Sequence, residues 1–543
     1  MPSVTRRDFI TASGLVVSAG LHPVGAAQSK SGAVPAANPV SFAIPKGQRQ
    51  LFLDDYGVAK IENLVRTMHQ PLKKGAVIRP DPSRGVTSIQ IRSAPNWDPE
   101  AKHFKFWIMS QPDDLKDGMG TSGYYESPDG LHWTAPPLGQ IESRGSRNNN
   151  FVTVAGLNSR PDCAIYDPLD PDPKSRYKGF TLRALFDLKK DPNAKLQWEL
   201  QPIVSDGITW RKLDVPGAES ADEYNISFDP VEKQFIATVK HGGPHGRSVF
   251  LSTSKDFRQW TKHELIFHAD DLDQELGRRN IAQHFADPRL RKPYFNMPAK
   301  YNVDVYNMGT FRYEGLYIGM PAMYHKTGQV PGSWPGFNNF PNAPGIELYR
   351  RFGDWVGFHP IQLVCSRDLR HWTRLGDRRP FLEPSPLGAG AYDLSCLIGP
   401  SYPIYRGDEL WFYYTGLKSY GGEFDDDGLG RDRSAICLAA LRRDGFVSLS
   451  AGEEEGSVLT EPFALPEGEL HLNVNARKGS VMVQLCDDDA AAIPGFEASD
   501  EIHGDHTDAV VRWPKGRFQE WSQKKTRLRI RLRQAELYSY WIQ

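Results

Sequence analysis

Cysteine is scarce in this chain and forms no pattern. Five stand in 543 residues (Cys163, Cys365, Cys396, Cys437 and Cys486), an odd number with no C-x-x-C spacing. Thiolate metal sites of the zinc-finger type are thereby excluded, and a chain this long needs no disulfide framework. Most of the five sit in apolar strand-like runs such as Ile361-Gln-Leu-Val-Cys365, so buried free thiols are expected. A surplus of either charge is also missing: 65 Lys and Arg face 66 Asp and Glu, for a formal net charge of −1. That balance gives no sign of a nucleic-acid partner or an anionic membrane surface. Beyond the N-terminus no run approaches the roughly 18 apolar residues that a membrane-spanning helix requires. Walker loops, Rossmann glycine fingerprints, Gly-x-Ser-x-Gly elbows and His-Glu-x-x-His pairs are absent. Nucleotide-dependent, serine-nucleophile and zincin chemistry recede with them. His241 and His245 are four apart, but the Gly-Gly-Pro between them keeps them off one helical face.

What is present begins with an export signal. Thr5-Arg6-Arg7-Asp8-Phe9-Ile10 has the form of a twin-arginine motif. An apolar stretch to Leu21 and a small-residue exit at Ala26-Ala27 follow in the order such signals require. The expectation is a signal peptide over 1–27 and a periplasmic or secreted mature protein, with no membrane insertion after cleavage. A flexible Ala/Pro/Ser/Gly-rich linker is expected over 28–49.

The next feature is a repeated turn. Ser127-Pro-Asp129-Gly-Leu-His-Trp133, Ser205-Asp206-Gly-Ile-Thr-Trp210, Ser254-Lys-Asp256-Phe-Arg-Gln-Trp260 and Ser366-Arg-Asp368-Leu-Arg-His-Trp372 are short polar turns ending on tryptophan. A second repeat accompanies it, in which a turn precedes an aromatic-rich strand. The copies run through Trp97-Asp98-Pro99, Tyr166-Asp167-Pro168, Phe228-Asp229-Pro230, Tyr313-Glu314-Gly315 and Arg406-Gly407-Asp408. Turn residues flanked by β-branched and aromatic runs read as hairpins. Five such units predict an all-β fold, a five-bladed β-propeller. The blades are expected near 85–137, 148–214, 222–266, 303–376 and 391–450, within a propeller spanning 50–452. Gln50-Leu-Phe-Leu-Asp54-Asp55-Tyr56 is a candidate for closing the ring. Long inserts near 267–302 and 325–346 are expected to shape a binding mouth. After residue 452, alternating runs such as Arg527-Leu-Arg-Ile-Arg-Leu532 predict a C-terminal β-sandwich over 453–543.

Innermost strands of a propeller converge on its axis, so single carboxylates scattered along the sequence can share one funnel. Asp222-Glu223, Asp304 and Asp393 open the third, fourth and fifth blades, and Asp54-Asp55 precede the ring. Two or three carboxylates around a cavity suit glycosidic bond cleavage, one protonated as acid and one ionised as base or nucleophile. Glu223, Asp304 and Asp393 are the candidate catalytic groups. Asp55, Asp222, Tyr224, Tyr306, Asn307 and Tyr392 are candidates for binding sugar, through ring stacking and amide or carboxylate hydrogen bonds. The ordinary alternative for any aspartate before a strand is a turn or cap. Asp98, Asp167, Asp229, Glu314 and the aspartates of the tryptophan turns are read that way. No cofactor is indicated; the acidic run Glu423-Phe-Asp425-Asp426-Asp427-Gly428 is a candidate structural calcium loop, more simply read as solvated.

This combination resembles glycoside hydrolase families thirty-two and forty-three and, more closely, exported bacterial proteins described as family-thirty-two N-terminal-like. The resemblance rests on Leu51-Phe-Leu-Asp54-Asp55, Val303-Asp304-Val-Tyr306-Asn307-Met308-Gly309 and Leu441-Arg442-Arg443-Asp444-Gly445-Phe446-Val447-Ser448-Leu449, and covers about residues 50–543. It implies a propeller with a trailing sandwich and action on a saccharide. The Asn-Asp-Pro, Arg-Asp-Pro and Glu-Cys motifs of family thirty-two have no clean match, so fructosidase activity is not implied. The expected function is an exported glycoside hydrolase acting on a plant, algal or microbial saccharide, with chain-end cleavage if the long loops close one end of the funnel. A non-catalytic carbohydrate-binding propeller is one alternative. A glycoside phosphorylase is another, needing a basic pocket for which Arg92 and Arg312 are the inner-strand candidates.

Overall fold

The computed structural model describes residues 42–543 except 111, 113, 116–120, 158, 186–197, 221, 335–349, 389 and 420–431. The export signal, most of the linker, part of the second insert and the acidic run at 423–428 lie outside the described residues. The chain divides into two compact units. One is Gln70–Leu441; the other joins residues 42–69 to Arg442–Gln543.

The first unit is a five-bladed propeller. Its blades are sheets running from Ile89–Gln90 to Phe151–Val152, from Val154–Ala155 to Ala218–Ser220, from Tyr224–Asp229 to Glu264–Phe267, from Asn302–Tyr313 to Thr373–Arg374, and from Cys396–Ile398 to Ser434–Arg442, antiparallel but for the parallel pairing of Val154–Ala155 with Trp210–Lys212. The fifth blade takes its outer strand from the other end of the unit: Leu72–Ile78 pairs antiparallel with Ser434–Arg442. That strand closes the ring, and Gln50–Leu51 pairs instead with Glu536–Ile542 in the second unit. Val447–Ser450, expected at the end of blade five, pairs with Val65–Met68 and Glu536–Ile542. The edge it was expected to occupy is filled by Leu72–Ile78.

The repeated turns have a common chemistry. Asp129 Oδ1 accepts from the backbone N–H of Leu131 and His132, at 2.8 and 2.9 Å. Asp206, Asp256 and Asp368 do the same for the residues two and three further on. An Asx-type turn of this kind satisfies two backbone donors with one side chain. In the first and fourth copies the indole N–H of the tryptophan donates back to a carbonyl within the turn. The hairpin aspartates brace neighbouring blades as well. Asp98 accepts from Tyr177 Oη at 2.9 Å and Asp229 from Tyr317 Oη at 2.6 Å, each tyrosine belonging to the following blade.

The first insert holds a helix, Asp271–Ala286. Its start is a capping box in which Asp270 accepts from the Asp273 backbone and Asp273 from the Asp270 backbone. Both carboxylates also pair with Arg378, and Asp273 with Arg374 at 2.6 Å. Gln274 grips the backbone of Val303 with both ends of its amide, at 2.7 and 2.9 Å, and so fixes the start of the inner strand of blade four.

The second unit is a β-sandwich made from one ten-stranded sheet. Leu470–Cys486 is long enough to serve both layers, pairing with Glu536–Ile542 over its first part and with Lys525–Arg533 over its second. In Lys525–Arg533, Thr526, Leu528, Ile530 and Leu532 point inward while the arginines between them face out. That is the period-2 pattern of a half-buried strand. All five cysteines are free and buried. Among the described residues no helix is long and apolar enough to cross a membrane.

Candidate functional site

Inner-strand side chains alternate between the axis and the inter-blade core. In blade three, Glu223, Asn225 and Ser227 make polar contacts across the axis, while Tyr224 and Ile226 pack with Phe180 and Phe257. Tyr224 is thus a core residue; its hydroxyl donates to the Phe180 carbonyl at 3.0 Å. Blade four breaks the alternation with a bulge between Val305 and Met308. The bulge lets adjacent residues both reach blade three: Tyr306 Oη donates to Glu223 at 2.8 Å, and Asn307 Nδ2 donates to Asn225 at 2.9 Å. Gly309 follows where the backbones of blades four and five nearly touch. A Cβ there would lie 1.8 Å from the Pro400 carbonyl oxygen, so no larger residue fits.

Four blades bring one buried network together. Arg92, just past the first inner strand, forms a two-pronged pair with Glu223, its Nη2 2.6 Å from Oε1. Asp222 pairs with Lys240 at 2.5 Å, and Lys240 lies 4.5 Å over the Tyr306 ring. Asp304 receives two cations, Lys326 at 2.6 Å and Arg247 at 3.3 Å, plus the Arg247 backbone N–H at 3.1 Å. The His359 ring lies between the Tyr306 and Tyr324 rings, 4.6 and 4.4 Å away, and so joins the Glu223 side of the network to the Asp304 side. Arg160 and Asp162 form a further pair beside Arg92 at the opening of blade two. All of these side chains are buried.

The electrostatics separate the carboxylates. Burial pushes Asp222 up to about 6; Lys240 opposes that and the neighbouring Glu223 charge adds to it. Burial also pushes Lys240 down, so both members of that pair lean toward their neutral forms. For Glu223 burial acts upward, but the Arg92 charge and hydrogen bonds win and hold it below the ordinary range. Asp304 behaves likewise: burial raises it, and Lys326 and Arg247 bring it below its usual value. His359 is pushed well down by burial and by the surrounding Arg247, Lys240 and Arg92, so it stays neutral. Asp222 also has a φ of 128°, a region that side-chain-bearing residues rarely adopt. Strain of this kind, of order 1–3 kcal/mol, concentrates at functional sites.

Of the residues singled out in the sequence, the structure gathers Asp222, Glu223, Asp304, Tyr306 and Asn307. Asp393 is not in this network. Its carboxylate pairs with Lys73 of the ring-closing strand at 2.7 Å and accepts from Tyr414 Oη at 2.8 Å. Tyr392 donates to Asp432 and lies under Lys418. Asp55 belongs to the second unit, exposed and paired with Arg66 at 2.5 Å. Arg312 pairs with Asp229 near the blade turns, 3.6 Å away. The cations Lys240, Arg247 and Lys326 and the neutral His359 are unforeseen. Their signal was a basic residue inside an otherwise apolar strand, as in Phe235-Ile-Ala-Thr-Val-Lys240, which must be paired to be buried. Among the described residues no group of three or more His, Cys, Asp or Glu side chains is placed to hold a metal ion.

No protein-family model matches the chain, and no curated protein matches it. Comparison with solved structures returns glycoside hydrolases among its matches. An N-acetylgalactosamine deacetylase from F. plautii, solved with blood group B trisaccharide, is 12% identical, covers 71% of this chain and 97% of its own, and has a TM-score of 0.37. A GH32 β-fructofuranosidase of Bombyx mori is 9% identical over 86% of this chain and 94% of its own, with a TM-score of 0.40. An exo-β-1,3-galactanase of Phanerochaete chrysosporium is 9% identical over 87% and 99%, at 0.31. At such values the functional reading rests on the site itself.

Proposed function

We propose that the protein is a glycoside hydrolase with Asp222 as general acid and Asp304 as the ionised carboxylate. The observation that carries this is the opposite displacement of two buried carboxylates within one network. Asp222 is raised to about 6 and Asp304 is lowered. Acid and base assignments in hydrolytic sites arise from such divided environments. A propeller that only bound sugar would have no need to hold a strained carboxylic acid near neutrality. Glu223, with both oxygens engaged by Arg92 and one also by Tyr306, serves to position and to raise its neighbour. Asp304 Oδ1, itself buried, has no hydrogen-bond partner among the described residues. We also propose, from the twin-arginine motif, that the protein is exported and meets its saccharide outside the cytoplasm.

The test is leaving-group dependence. General acid catalysis contributes roughly 10²–10⁴-fold when the departing oxygen is a poor leaving group. Asp222→Asn should therefore lose about 10³-fold in kcat/KM on alkyl glycosides or oligosaccharides, yet retain most activity on dinitrophenyl glycosides. Equal losses on both would remove Asp222 from the acid role. No sugar release from any glycoside by the wild-type protein would overturn the hydrolase reading.

A further inference from the structure

The carboxylate of Asp222 is held from one strand. Among the described residues its ion-pair partner is the Lys240 ammonium, 2.5 Å away, with the two side chains only 4% and 2% exposed. Solvent therefore does little to screen the contact. Lys240 stands on Gln234–Gly243, which pairs antiparallel with Tyr224–Asp229, the strand that Asp222 and Glu223 lead into. Its backbone N–H donates to the Glu223 carbonyl at 3.0 Å while its side chain reaches Asp222. One residue thus grips both members of the Asp222-Glu223 dipeptide. The same ammonium lies 4.5 Å over the Tyr306 ring, whose hydroxyl donates to Glu223 at 2.8 Å. Asp222 has a φ of 128°, and a backbone in such a region stays there only where its surroundings over-determine it. The Ser220 hydroxyl is a weaker brace, donating to the Glu223 carbonyl at 3.0 Å and accepting from the Asp222 N–H at 3.4 Å.

Other charged and titratable groups face this pair. Glu223 adjoins it in sequence and is itself bound by Arg92; Arg247 acts from the third strand of the blade; Lys326, Tyr306 and the neutral His359 act from blade four. Burial and the Glu223 charge favour a protonated Asp222, and Lys240, with Arg247 behind it, favours the ionised form. We propose that Lys240 is the positioning residue of the acid: it keeps Asp222 in its strained conformation and sets the upper pH at which Asp222 still holds its proton. The acid role rests on the hydrolase reading above; the pairing of Lys240 with Asp222 does not depend on it. A cation beside a carboxylate stabilises the ionised form, so its removal lets the proton stay to higher pH.

PH–rate profiles of Lys240→Met and Lys240→Arg on an alkyl glycoside are compared with wild type. The alkaline limb, near pH 6 in the wild type, should move up by about 1–3 pH units in Lys240→Met and stay in place in Lys240→Arg, which keeps the charge. In Lys240→Met, kcat and kcat/KM should fall together, as when an interaction made in the transition state is lost. A merely structural lysine would lower stability and rate without moving the limb; that result overturns the inference and leaves Asp222 as the acid. The Asp222 proton is also read without turnover, from infrared difference spectra between each protein and its Asp222→Asn counterpart. The carboxylic-acid band should persist to higher pH in Lys240→Met than in wild type. A band that shifts in a protein that cleaves no glycoside would uphold the pairing and discard the hydrolase; a band that does not shift overturns the inference, active enzyme or not. If Lys240→Met does not fold, the reciprocal measurement decides. The Lys240 amine, followed by nitrogen NMR, should lose its proton at lower pH in Asp222→Asn than in wild type, because the carboxylate that favours its charge is gone. An amine that titrates alike in both proteins would overturn the pairing.

Discussion

Asp222 and Asp304 share one buried network, yet their surroundings move their protons in opposite directions. The consequence is a pH profile. On the proposed assignment, activity needs Asp222 protonated and Asp304 ionised. The kcat/KM should therefore fall above pH about 6 as Asp222 loses its proton, and fall on the acid side only below the usual carboxylate range. In Asp222→Asn the alkaline limb should disappear, which a rate profile on an activated aryl glycoside would show. Asp304 carries a second expectation. A purely catalytic role would make Asp304→Asn a change in chemistry alone, with stability nearly intact. The structure alters that: the substitution leaves Lys326 and Arg247 buried around a neutral amide. Breaking a buried pair costs about 3–5 kcal/mol, so thermal unfolding should show a clear loss of stability along with lost turnover. Asp304 and Glu223 were legible from sequence because each stands at the opening of a repeated blade. Lys240, Arg247 and Lys326 were not, because they reach the axis from second and third strands. Their positions depend on how far those strands extend past the first. Asp393 shows the limit of that reading: it opens blade five as Asp304 opens blade four, yet its carboxylate turns toward Lys73 and Tyr414.

Among the elements, the turns were the most legible. An aspartate that accepts two backbone N–H groups acts within a few residues, and such local chemistry survives in the sequence as Ser-x-Asp and Asp-Pro. The same aspartates have a long-range task that the sequence does not display. Asp229, fully buried, accepts from Val231 and Glu232 N–H and also from Tyr317 Oη of the next blade. Asp229→Ala strips partners from several donors at once, at about 1–3 kcal/mol for each buried group left unsatisfied. Tyr317→Phe removes a single hydrogen bond, worth about 1 kcal/mol. Chemical denaturation should therefore rank Asp229→Ala well below Tyr317→Phe in stability; equal effects would confine Asp229 to its own turn. The helix Asp271–Ala286 escaped the sequence reading for a physical reason. It buries Asp273, Gly277, Ile281 and His284, not an apolar stripe, and is held by its capping box, by arginines and by the grip of Gln274 on Val303. Periodicity finds helices that pack by hydrophobic faces and misses those docked by polar contacts.

For the whole molecule the decisive contact is the one that closes the ring. Leu72–Ile78 completes blade five against Ser434–Arg442, so the propeller joins strands more than 350 residues apart. Such closure gives up loop entropy before it returns any stabilisation, and topologies of this kind fold slowly. Lys73 reinforces the joint: its ammonium reaches Asp393, Ser385 Oγ and the Glu383 carbonyl. The assignment of Asp393 to closure and not to chemistry follows from that arrangement and can be tested directly. Asp393→Asn leaves Lys73 27% exposed and partly hydrated, which moderates the cost to below that of a fully buried pair. The expected outcome is a melting temperature lowered by a few degrees, a faster unfolding rate, and kcat/KM within about twofold of wild type because the axial network is untouched. Lys73→Met should match it in stability, and the double variant should be little worse than either single one, since both remove the same pair. A loss of turnover in Asp393→Asn with stability unchanged would return Asp393 to the catalytic set and require the axial site to be redrawn around it.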